Sequence, residues 1–158
     1  MIGFALALAA WFMADLQTSL RYHRALAESG GYVTHSDAID RLASWLDEQD
    51  VAQPVALDWG IDAPVRYLTE NRVEPLEIFG YARLDAPDAG FEQRAQQFLA
   101  DPSRLYVVRM PENTVFAGRR EAMEALAEAR GLKLAVVKAF YDRSGKTMFV
   151  LLDTEPRH

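Results

Sequence analysis

Residues 1–14 read MIGFALALAAWFMA, apolar throughout apart from Gly3, and the first charged side chain is Asp15. Polarity then returns on one side only. Leu16, Leu20, Leu26 and Ala27 keep a rough apolar stripe, while Gln17, Arg21, His23 and Arg24 are polar. That pattern predicts a helix that continues past the apolar run, until Ser29-Gly30-Gly31 breaks it.

The rest of the chain alternates between two periods. Thr34-His35-Ser36-Asp37 has the form of a capping box, and Ile39, Leu42, Ala43 and Leu46 follow at helical spacing. A helix is therefore predicted from Ser36 to about Gln49. Pro54–Asp58 is a short apolar run and reads as a buried strand, with a turn at Trp59-Gly60-Ile61. Asp62 is suited to cap a second helix that tolerates Pro64 in its first turn and runs to about Glu70. Pro75–Phe79 reads as a strand and Gly80–Asp88 as a loop. Phe91, Ala95, Phe98 and Leu99 place a helix over 89–100, and Leu105–Arg109 is a third strand. Phe116, Met123, Leu126 and Ala127 mark a helix stopped at Gly131. Leu132–Tyr141 and Thr147–Asp153 read as strands of a hairpin turning through 142–146.

Strand–helix alternation of this kind predicts an α/β fold: a mostly parallel, Rossmann-like sheet of about five strands with helices on both faces. A C-terminal antiparallel hairpin follows, its last strand at or near an edge. The expected organisation is an apolar helix over 1–28, a linker over 29–35 and a soluble α/β domain over 36–158.

The apolar run admits several readings. A spanning helix needs about 20 apolar residues, and 14 residues rise only about 21 Å. A signal sequence is disfavoured by the missing basic segment before the run and by a poor cleavage site. Packing inside the domain is disfavoured because the run is apolar on every face. The favoured reading is a membrane anchor, the C-terminal part of a longer span. Arg21 and Arg24 after the run would by themselves place the domain in the cytoplasm.

Composition removes much chemistry. Half of the 158 residues are apolar and a quarter charged, which excludes wholesale disorder. The formal net charge of −6 disfavours nucleic acid as a partner. With no cysteine and three scattered histidines, thiolate sites are excluded, and neither a metal site nor a cofactor is suggested. Phosphate-cradling glycine loops, nucleophile elbows and zinc-protease motifs are absent, and no catalytic residue is assigned.

The candidate ligand-binding residues are Asp58, Trp59, Gly60, Asp62, Arg109 and His35. In open α/β sheets ligands bind beyond the carboxyl ends of the strands, where Asp58, Trp59 and Gly60 follow the first strand. Helix N–H groups beginning near Asp62 point into the same space. Asp58 suits a hydroxyl or cation, or equally the N–H groups of its own loop; Trp59 suits a sugar ring or a cap on the core. Arg109, ending the third strand, suits a phosphate or carboxylate, or a nearby acid such as Asp58. His35 is a candidate base or a structural residue beside a helix start.

Taken together, the apolar span, Gly30-Gly31-Tyr32, Ser36-Asp37-Ala38-Ile39, Val55-Ala56-Leu57-Asp58-Trp59-Gly60 and Tyr67-Leu68-Thr69 carry a resemblance. It extends through Leu105-Tyr106-Val107 and Thr114-Val115-Phe116. The chain resembles the C-terminal part of bacterial family 39-like membrane glycosyltransferases, relatives of dolichyl-phosphate-mannose–protein mannosyltransferases. The resemblance implies an extracytoplasmic α/β domain after a last transmembrane span. It would be accessory to an enzyme using a polyprenyl-phosphate-linked sugar. In that family the catalytic acid lies among N-terminal spans that this chain lacks. The implied partners are membrane lipid, that catalytic region, and a glycan or lipid-phosphosugar. Two alternatives remain: a membrane-anchored small-ligand-binding module, and a small hydrolase using Asp58 and His35.

Overall fold

The apolar run and the amphipathic stretch after it form one unbroken helix, α1 (Ile2–Ser29). The computed structural model describes residues 2–32 and 35–157. The 28 residues of α1 rise about 42 Å, more than the roughly 30 Å of a bilayer's hydrocarbon core. The helix continues past Asp15 to Ser29, as the apolar stripe predicts, so the uncharged run is its first half. Its large apolar side chains have no protein partner surface: Phe4 is 76% exposed and Trp11 71%. Packing inside the domain is therefore not the fate of this run. Among the described residues, α1 is the one helix long and apolar enough to cross a membrane.

Gly30 ends α1 in the left-handed region (φ +69°), its N–H donating to Leu26 O at 2.8 Å. The stretch expected to be a linker then forms a small antiparallel pair, β1 (Gly31–Tyr32) with β2 (His35–Ser36). Thr34, the first residue of the expected capping box, lies outside the described residues. Helix α2 (Ala38–Glu48) starts two residues later than expected. Ser36 Oγ accepts from the Ala38 N–H, whereas the carboxylate of Asp37 is paired with Arg41 and Arg143.

The remaining elements are β3 (Val55–Ala56), α3 (Asp62–Leu68), β4 (Leu76–Glu77), α4 (Phe91–Leu99), β5 (Tyr106–Arg109), α5 (Arg119–Glu128), β6 (Leu132–Tyr141) and β7 (Thr147–Pro156). A 3-10 turn at Pro111–Asn113 precedes α5. Asp62 sits inside the first turn of α3 and makes no side-chain cap; its Oδ1 instead accepts from Arg66 Nε at 2.6 Å.

The sheet order is β4-β3-β5-β7-β6. β3 pairs in parallel with β4 and β5, and β7 is antiparallel to β5 and β6. Four strands thus point one way and β7 the other. The last strand lies near an edge, as expected: β7 is one strand in, and β6 forms the edge itself. The reason is written in the side chains. Met148 to Leu152 are five consecutive buried apolar residues, which need cover on both faces. β6 carries Lys133 and Lys138, residues suited to an exposed edge.

Side chains alternate across the strands to build two cores. Val107, Phe149 and Leu151 face Leu42, Leu46 and Val65 of α2 and α3. Tyr106, Val108, Val150 and Leu152 face Phe91, Leu99 and Met123 of α4 and α5. Both faces are covered, leaving the strand ends as the open part of the domain.

Candidate functional site

The chain leaves β3 through Asp58-Trp59-Gly60, and this turn sets the geometry of the sheet's carboxyl edge. Gly60 has φ +74°, a conformation that favours glycine. Arg109 holds the turn from β5. Its Nε donates to Trp59 O at 3.1 Å and its Nη2 to Gly60 O at 3.3 Å. The guanidinium lies 4.8 Å from the Phe149 ring centroid. Burial pulls the Arg109 pKa below its ordinary value, opposed by the charge of Asp58. Among the described residues no Arg109–Asp58 ion pair forms; Asp58 acts on Arg109 only through its field.

Asp58 is 2% exposed, and its oxygens are in use. Oδ1 accepts from the N–H groups of Trp59 (2.7 Å) and Phe116 (3.0 Å). Oδ2 accepts from the Thr114 hydroxyl (2.5 Å) and the Val115 N–H (3.0 Å). Of the two sequence readings of Asp58, these bonds support the loop-organising one. They also explain why α5 starts at Arg119 rather than at Phe116: the amides that would begin the helix are turned toward the carboxylate.

In front of this turn lies a cleft of about 830 Å³, within the range of small-molecule sites. Five of the six candidate residues line it: His35, Trp59, Gly60, Asp62 and Arg109. Asp58 lines a separate cavity of about 170 Å³ with Thr114 and Phe116. The Asp58–His35 pairing that a hydrolase would use is therefore split between two cavities.

Sequence reasoning missed several lining residues. Glu77 and Tyr81 enter from the end of β4, and Asp37 and Asp40 from the start of α2. The Tyr81 hydroxyl donates to Glu77 Oε2 at 2.5 Å. That bond, with burial and the negative charges of Glu77 and Asp62, pushes the phenol up to about 12. Tyr81 is neutral at physiological pH, and its ring stays 65% exposed.

Tyr81 sits on the 80–88 loop, which a buried arginine fixes. Arg119 donates to the carbonyls of Phe79 (3.1 Å), Arg83 (2.5 Å), Leu84 (3.5 Å) and Ala117 (2.8 Å). Its guanidinium carbon lies 5.2 Å from the Phe116 centroid. Burial lowers its pKa, offset by Asp88, Asp58 and Asp85.

The remaining wall joins the cleft to α1. Gly30 and Arg143 line it. Arg143 Nη1 donates to Ala27 O (3.2 Å), and its backbone N–H donates to Asp37 Oδ1 (3.1 Å). The Asp37 N–H in turn donates to Gly30 O at 2.9 Å. The root of the long helix is therefore part of the site. No group of three His, Asp or Glu among the described residues is placed to hold a metal ion.

Gly60→Ala tests the turn. An added Cβ would come 2.9 Å from Arg109 Nη2, at a φ that disfavours alanine. A loss of about 1–3 kcal/mol is expected, read as a lower midpoint in denaturant unfolding of the full chain.

Comparison with protein-family models, curated proteins and solved structures finds no match to this chain.

Proposed function

We propose that this chain is a membrane-anchored α/β lobe that binds a ligand in its carboxyl-edge cleft. We further propose that it serves, from the extracytoplasmic side, a membrane glycosyltransferase using a polyprenyl-phosphate-linked sugar donor. The observation that carries the reading is that the cleft is built onto the root of α1. Gly30 and Arg143 belong to its wall, and Arg143 is bonded to Ala27 of the helix. A ligand held there is held beside the anchor, which suits a lobe working with machinery in the same membrane. The transfer step is assigned to other protein: the acid nearest the turn, Asp58, is occupied by four donors.

Two sugar-transfer assays with lipid-linked donor test the reading. The isolated chain is expected to transfer no sugar. In membranes of cells whose only copy carries Trp59→Ala, transfer is expected to fall several-fold. Turnover by the isolated chain, or unchanged transfer in the variant membranes, would overturn it.

A further inference from the structure

The charges around the cleft discriminate between ligand classes. Four carboxylates line it, from Asp37, Asp40, Asp62 and Glu77, against the guanidiniums of Arg109 and Arg143. Both guanidiniums already serve the fold: Arg109 donates to the carbonyls of Trp59 and Gly60, and Arg143 to that of Ala27. Asp37 is paired with Arg41 and Arg143 and Asp62 with Arg66, so the carboxylates of Asp40 and Glu77 are the ones that repel an entering phosphate.

Neutral hydroxyl groups avoid that repulsion and find acceptors. An ionised carboxylate offers about four lone-pair sites. Asp62 uses Oδ1 for Arg66, and Glu77 uses Oε2 for Tyr81. Their second oxygens remain to accept hydroxyl protons, as do those of the exposed Asp40. The same cleft presents flat apolar surface. The Trp59 side chain is 41% exposed and Tyr81 65%, next to Ile39 and Pro64. Aromatic faces beside convergent acceptors fit a ring with C–H groups on one face and hydroxyls at its rim. The cleft volume exceeds what one such ring needs.

We propose that the cleft binds a neutral glycan of more than one sugar ring, through Trp59 and the carboxylates of Asp40, Asp62 and Glu77, and discriminates against phosphorylated sugars. This rests on the cleft reading above and narrows it: the lobe holds the uncharged glycan, not the phosphate end of a lipid-linked donor.

The test uses the full chain in phosphatidylcholine nanodiscs, with Trp11→Phe and Trp45→Phe leaving Trp59 as the sole tryptophan. Neutral disaccharides (maltose, cellobiose, mannobiose), mannose 1-phosphate and inorganic phosphate are titrated against its fluorescence. At least one neutral disaccharide is expected to give a saturable change, with each charged probe at least tenfold weaker. Asp40→Asn, an exposed substitution that spares the fold, is expected to weaken the sugar several-fold. In the chain with all its tryptophans, Trp59→Ala is expected to abolish binding by calorimetry and Trp59→Phe to restore most of it. Equal or tighter binding of a charged probe, or no response to any disaccharide, overturns the ligand class. The transfer assays on Trp59→Ala membranes report on the accessory role separately, so the two failures are distinguishable.

Discussion

Asp58→Ala is expected to cost about 3–5 kcal/mol of folding stability, as removal of one partner from a buried charged network does. The carboxylate binds both the Trp59 amide and the Thr114–Phe116 segment. Alanine leaves three backbone N–H groups and a hydroxyl without their acceptor, in a place where water enters poorly. Asp58→Asn keeps acceptor oxygen but turns an NH₂ group toward N–H donors, so an intermediate loss of about 1–3 kcal/mol is expected. Urea unfolding of the reconstituted chain checks both. A loss below about 1 kcal/mol for the alanine variant would contradict the role given to this carboxylate.

Arg119→Ala is the second large effect, also about 3–5 kcal/mol. Arg119 is 1% exposed, and its planar fork reaches carbonyls on two segments at once, 79–84 and Ala117. Arg119→Lys is expected to recover little, because one ammonium cannot reproduce that fork. The loss has a local signature. Amide hydrogen exchange over residues 80–88 should accelerate more than exchange in β5 or β7, since the loop depends on this side chain and the central strands do not. Uniform acceleration through the domain would show that Arg119 supports the core rather than the loop that carries Tyr81.

These two residues also mark how far the sequence could be read. Periodicity revealed the helices because Leu42 with Leu46, and Phe91 with Ala95, are local pairs on one face. It revealed the α/β class for the same reason, and the rule that ligands gather beyond parallel strand ends singled out Trp59, Gly60, Asp62 and Arg109, which share one cleft with His35, a residue chosen only for its place beside a helix start. Arg119 was invisible. It sits beside Arg120, and nothing local separates an arginine that binds distant carbonyls from one that pairs with Glu124 on the helix surface. Glu77 and Tyr81 were missed because they join the cleft only through the pairing of β4 with β3, and Asp40 because an acid in a helix's first turn reads as solvated surface. The position of β7 was legible in principle: Met148–Leu152 is apolar on both faces, and the lysines of β6 belong to an edge.

The central claim is that α1 lies in a bilayer while the lobe carries the cleft outside it. The most direct measurement uses the full chain with Trp11 as its sole tryptophan, mixed with vesicles carrying a quencher deep in the acyl chains. The account predicts that the protein floats with the vesicles after an alkaline, high-salt wash, and that Trp11 is quenched from within the bilayer. Protein recovered in the aqueous fraction, with Trp11 reached by iodide from water, would contradict it.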